Sequence, residues 1–149
     1  MTPDEKNAIL FRFFNEIGII DQLGRTMFEA RMPDGMGVPQ FSVLNHLVRV
    51  KDGQTPLDLA RAFQTPKTSM SHTLAVLQRA GLVSMAENPD DGRSKRVFIT
   101  EAGREFRARA IGALAPDFEQ LARDFDVEEI AGLLPRLEAI RAYLDARRD

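Results

Sequence analysis

The chain has 149 residues, one domain's worth at about 100–200 residues per domain, with 44% hydrophobic and 28% charged residues and a net charge of −2. It has no cysteine, which excludes a disulfide scaffold, a thiolate metal site and a thiol nucleophile, and its two histidines, His46 and His72, are too few for a His-rich metal site. No apolar run reaches the roughly 18 residues of a membrane span, and the acidic, polar start Met1-Thr2-Pro3-Asp4-Glu5-Lys6 is unlike a signal peptide, so a cytoplasmic protein without metal or cofactor is expected.

In chain order, residues 4–31 predict one long helix. Ile9, Phe13, Ile17, Ile20 and Met27 form its stripe, which Leu10, Phe14 and Leu23 broaden until the helix should pack on more than one partner. Met32-Pro33-Asp34-Gly35-Met36-Gly37 is a loop. Pro39 suits the first turn of a second helix with Phe41, Leu44, Leu47 and Val48 inward, ended by Asp52-Gly53. Thr55 caps a short third helix, with Pro56 at its first position, Asp58 in its first turn, and Leu57, Ala60 and Phe63 inward. Only Gln64 and Thr65 separate it from a fourth helix, opened by Thr65-Pro66, running to about Ala80 and stopped by Gly81.

After Gly81 the period changes. Leu82 to Ala86 and Arg96 to Ile99 read as two strands about the turn Asn88-Pro89-Asp90-Asp91-Gly92. Thr100-Glu101 starts a helix over Phe106, Ala110, Ile111 and Leu114, which Pro116 kinks or ends. Asp126-Val127-Glu128-Glu129 resembles a capping box before a last helix over Ile130, Leu133, Leu134, Leu137, Ile140 and Leu144, where Pro135 should introduce a kink.

A short helix, a tight turn, a second helix and a hairpin make a winged helix-turn-helix. On its second helix Met70, Leu74 and Leu77 face inward, while Thr68, Ser71, His72, Ala75 and Arg79 lie opposite, flanked by Ser69 and Val76. Hydroxyls, an imidazole and a methyl make a face slim enough for a major groove about 12 Å wide, and the helix start beside Lys67 suits a phosphate. Charge agrees: residues 1–50 carry 5 bases and 6 acids, residues 51–100 carry 7 and 5, and residues 101–149 carry 8 and 11. The centre is therefore the one basic third, and Arg93, Lys95 and Arg96 are its densest cluster. Arg93 at the hairpin tip either pairs with Asp91 to shape the turn or enters a minor groove, and both can hold. Lys95 and Arg96 alternate across the strand, so one of them faces DNA with the tip; Lys95 is the expectation. The DNA-binding candidates are thus Lys67, Thr68, Ser69, Ser71, His72, Arg93 and Lys95. No paired carboxylates, nucleophile–His pair or phosphate loop stands out, so no catalytic residue is assigned. The alternative is a winged helix used for protein contacts alone, as an adaptor or antirepressor.

Thr55-Pro56-Leu57-Asp58-Leu59-Ala60, Lys67-Thr68-Ser69-Met70-Ser71 and Leu77-Gln78-Arg79-Ala80-Gly81-Leu82-Val83, followed by Asp91-Gly92-Arg93 and Ile99-Thr100-Glu101-Ala102-Gly103, resemble a MarR-family transcriptional regulator in order and spacing. The resemblance implies a single domain over 1–149, mainly α with a small β-hairpin. Residues 38–100 would be the winged helix-turn-helix, 66–80 its recognition helix and 82–99 its wing, and 4–37 with 101–149 a helical dimerisation region. It further implies a homodimeric repressor of pseudopalindromic double-stranded operators, released by a small, often phenolic or aromatic effector. Phe11, Phe14, Met27 and His46 are the candidates to line that effector's pocket, with core packing as their ordinary role. Ser84, Met85 and Ala86, and His72 and Val76, stand where such proteins often carry basic residues, which implies fewer phosphate contacts.

Overall fold

In a computed structural model, which describes residues 1–148, the chain divides into two compact units, Met1–Ala113 and a second that begins at Leu114. The first holds α1 (Pro3–Arg31), a 3-10 turn at Pro33–Gly35, α2 (Val38–Arg49), α3 (Pro56–Phe63), α4 (Lys67–Arg79), the antiparallel pair β1 (Val83–Glu87) and β2 (Lys95–Ile99), and α5 (Glu101–Gly112). The second holds α6 (Ala115–Asp124) and α7 (Val127–Asp145).

The helix starts follow their caps. Thr2 and Glu5 close a capping box on α1, as Thr55 and Asp58 do on α3, each satisfying two backbone N–H groups that the first turn leaves over. Pro66 is itself the N-cap of α4, one residue later than the sequence suggested, and no side chain caps that end. Pro116 falls in the first turn of α6, so it begins a helix rather than bending the one before. Asp126 caps α7 through the Glu128 N–H at 2.9 Å, and α7 continues through Pro135 as one helix.

The core lies between α2, α3, α4, the hairpin and α5, with Leu44, Leu47, Leu59, Leu74, Leu77, Val97 and Phe106 at its centre. Two inward assignments need correction. On α3 Leu59 is fully buried while Leu57 is 43% exposed, and on α2 Val43 is buried while Val48 lies at the surface. In each case two stripes fit a short helix, and the packed neighbours select one.

The end of α4 and the start of the hairpin meet in one joint. Gly81, at φ +73°, ends α4 with its N–H on the Gln78 carbonyl and the Leu82 N–H on the Leu77 carbonyl, both at 3.0 Å, a Schellman turn. The Thr100 hydroxyl donates to the Gly81 carbonyl at 2.7 Å and accepts the Gly103 N–H at 3.0 Å, while the Thr100 N–H donates to the Leu82 carbonyl at 3.1 Å. Gly103 is needed here because a Cβ would stand 2.2 Å from the Leu82 carbonyl oxygen. The Thr-x-x-Gly start of α5 is therefore the clasp that holds the end of α4 against the root of the wing.

Large apolar side chains are left at the surface. No residue of α1, α6 or α7 is classed as buried. Ile9, Phe11, Phe14, Ile20 and Leu23 are exposed on α1, and Ile130, Leu133, Ile140 and Leu144 on α7. Among the described residues, the packing expected along α1 is not completed; Phe28 near its C-terminal end and the C-cap Met32 pack against the core.

Candidate nucleic-acid interface

The α3–α4 turn is made by Gln64, in the left-handed region at φ 50°, ψ 43°, and Thr65, whose N–H reaches the Ala60 carbonyl at 3.0 Å. This tight reversal presents α4 with two distinct faces. Met70, Thr73, Leu74 and Leu77 are buried, the Thr73 hydroxyl donating to the Ser69 carbonyl at 3.1 Å. Lys67, Thr68, Ser69, Ser71, His72, Ala75 and Arg79 are all exposed. The five candidates on this helix therefore share one open surface, and the uncapped start of α4 leaves first-turn N–H groups beside Lys67 available to an anion.

The two wing candidates are arranged differently. Arg93 is 94% exposed at the tip, its Nε 3.3 Å from Asp91 Oδ1, which also accepts the Arg93 N–H at 3.0 Å. The turn-shaping pair and the outward guanidinium coexist. Lys95 pairs with Glu87, directly opposite it in the ladder. Arg96 is turned away: its Nε donates to the Gly53 carbonyl at 2.9 Å and its guanidinium lies 5.5 Å from the centre of the Phe98 ring. Lys95 rather than Arg96 is thus the strand cation open to exchange.

What the sequence missed is the anchor of the wing. The segment 52–54 runs beside β2, with the Gly53 N–H on the Val97 carbonyl at 3.0 Å and the Val97 N–H on the Gln54 carbonyl at 2.8 Å. Asp52 Oδ1 accepts the Gly53 N–H at 3.1 Å and the Ile99 N–H at 3.0 Å. The motif Asp52-Gly53 signalled only a helix end; its partners lie too far along the chain for spacing to reveal.

The four expected pocket residues do not converge. Phe11 and Met27 are separated by about 24 Å along α1 at 1.5 Å per residue, and Phe11 and Phe14 are exposed. His46 Nε2 lies 3.0 Å from Gln54 Oε1 with its ring 5.3 Å from that of Phe63, a half-buried histidine placed by the core. A cleft of about 220 Å³ instead opens between α1 and α2, lined by Asp21, Gly24, Arg25, Phe28, Val38, Phe41 and Ser42. No group of acids and histidines able to hold a metal ion occurs among the described residues, and no described helix is long and apolar enough to cross a membrane.

A helix-turn-helix with an open polar second helix and a two-stranded hairpin beside it defines the fold as a winged helix-turn-helix. Residues 34–94 match the model of the MarR family. The transcriptional activatory protein BadR of Rhodopseudomonas palustris is 24% identical over 131 residues, covering 86% of this chain and 73% of BadR. The crystal structure of a MarR transcriptional regulator from Methanosarcina mazei Go1 superposes with a TM-score of 0.75 at 24% identity, over 88% of this chain and 94% of that one. The PcaV regulator of Streptomyces coelicolor, solved with its natural ligand, superposes with a TM-score of 0.63 at 21% identity, over 88% and 90% of the two chains. Over residues 34–94, and in fold, the chain is similar to the MarR family of transcriptional regulators.

Proposed function

We propose that this protein is a homodimeric repressor that reads a pseudopalindromic operator with α4 in the major groove and Arg93 in the adjacent minor groove. The observation that carries the reading is the single surface formed by Thr68, Ser69, Ser71 and His72, all exposed on α4, with Lys67 at its start and a tip guanidinium that is 94% exposed. Hydroxyls of this length reach base edges and phosphates without blocking the groove. The dimer accounts for the uncovered apolar faces, which a second copy would bury; Ile130, Leu133, Leu137, Ile140 and Leu144 on α7 recur at alternating steps of three and four, the spacing of a two-helix seam. Two-fold symmetry then sets recognition helices about 34–36 Å apart, one turn of DNA.

The α1–α2 cleft is the site we assign to an effector. Phe28 and Phe41, with ring centroids 5.7 Å apart, offer an apolar wall, Ser42 a hydroxyl and Arg25 a cation, a lining suited to a small aromatic acid. PcaV, with its natural ligand bound, supports a small-molecule effector in this fold. The name of BadR favours a second reading, in which the same interface activates transcription.

Gel shift on the DNA upstream of the protein's own gene, with a salt titration, tests the reading. A retarded complex of dimer stoichiometry that outlasts excess mixed-sequence DNA is expected. Binding that never exceeds that to mixed-sequence DNA, or a monomer at micromolar concentration, would overturn it, and a folded dimer without DNA affinity would favour the protein-contact alternative.

A further inference from the structure

Between positions 87 and 96 the hairpin carries three acids, Glu87, Asp90 and Asp91, and three bases, Arg93, Lys95 and Arg96. It is neutral overall, and each base has a partner inside the protein: Arg93 has Asp91, Arg96 has the Gly53 carbonyl, and Lys95 has Glu87. The last of these differs from the others. Arg93 is fixed near Asp91 by the turn itself, and Arg96 is half-buried and held by backbone and ring together. Glu87 and Lys95 are the terminal pair of the ladder, held only by their side chains, which are 74% and 50% exposed. An ion pair so open to water is weak and trades partners readily.

We propose that Glu87 is an affinity-setting residue of the wing: its carboxylate competes with DNA phosphate for the Lys95 ammonium and so holds the protein's grip on every duplex below what its cations would give. The inference rests on the DNA-binding reading above. Register supports it. Glu87 stands directly opposite Lys95, where cross-strand Cβ atoms are about 4.5–5.5 Å apart, so the carboxylate is positioned by the sheet and not by chance. Phosphate contacts supply the sequence-independent part of binding, and a cation engaged at home contributes to that part only after its partner lets go.

The test is a double-mutant cycle on the full-length protein, read by fluorescence anisotropy on a mixed-sequence duplex and on the upstream DNA across a salt series. Glu87→Gln should raise affinity for both duplexes about three- to tenfold at low salt and steepen the dependence of log K on log salt by about 0.9, one further phosphate contact. Asp90→Asn, which removes an equal charge from the same turn, measures general repulsion and should gain less. In a Lys95→Gln background the gain from Glu87→Gln should shrink to that of Asp90→Asn. Equal gains from Glu87→Gln and Asp90→Asn, or a gain that persists without Lys95, would overturn the competition and leave diffuse repulsion. Wild-type protein that binds neither duplex would instead overturn the DNA-binding reading, and the inference with it.

Discussion

The carboxylate of Asp52 accepts the backbone N–H of Ile99 at 3.0 Å, tying the connection after α2 to the last residue of β2 across 47 positions of sequence. The same oxygen takes the Gly53 N–H, and Arg104 on α5 approaches the other at 4.0 Å. Removing this side chain strands a strand-end donor and frees the base of the wing. Asp52→Ala should cost about 1–3 kcal/mol, measured as a lower denaturation midpoint, while Asp52→Asn, which keeps an accepting oxygen, should cost less.

Gly103→Ala should be more damaging than its size suggests. The added methyl would stand 2.2 Å from the Leu82 carbonyl oxygen and 2.8 Å from an Ile99 side-chain carbon. Backbone cannot retreat as a side-chain tip can, so a loss of about 1–3 kcal/mol or more is expected, seen as a fall of several degrees in Tm. Ala102→Gly, at an exposed neighbour, is the contrasting case, with a cost below about 1 kcal/mol.

Arg93→Ala and Ser71→Ala separate fold from recognition. Both side chains are exposed and neither supports the core, so Tm should stay within about a degree of wild type. On the proposed interface each should cost about 1–3 kcal/mol of operator affinity where it meets a base, and Arg93→Ala should also flatten the salt dependence. Unchanged operator binding by both variants would remove α4 and the wing tip from the interface.

Leu133→Arg places a charge in the apolar stripe of α7, where Leu133 is 58% exposed in the single chain. If a second copy covers that stripe, the variant should sediment as monomer or weaken the dimer by at least a hundredfold, since an unpaired charge at a buried seam costs several kcal/mol. Arg136→Glu, which swaps one exposed charge for another, should leave assembly unchanged or nearly so.

Most of the helix-turn-helix is legible in the sequence because its signals are local. Thr55-Pro56 starts α3, Gly81 ends α4, and the Asn88 to Gly92 turn closes a hairpin whose strands lie within a residue of their expected ends. The open face of α4 follows from periodicity alone, since Met70, Leu74 and Leu77 fix what must be opposite them. What stayed hidden depends on distant partners or on competing stripes. Asp52 reads as a helix stop until Ile99 is beside it. Leu57 and Leu59 both fit an eight-residue helix, and only the core decides. The cleft at Arg25 and Phe28 faces α2 residues that no spacing rule connects to α1, so aromatic side chains elsewhere on α1 drew the expectation instead.

Because the end of α4 and the root of the wing share Gly81, Leu82 and Thr100 through bonds of 2.7–3.1 Å, the protein carries a ruler that cannot stretch. In the proposed complex the stretch of sequence under α4 and the stretch under Arg93 must sit at one fixed offset within each half-site. A single base pair inserted between them should therefore abolish recognition even where every contacted base is kept, while insertions at the operator's centre test a separate dimension, the span between the two protomers.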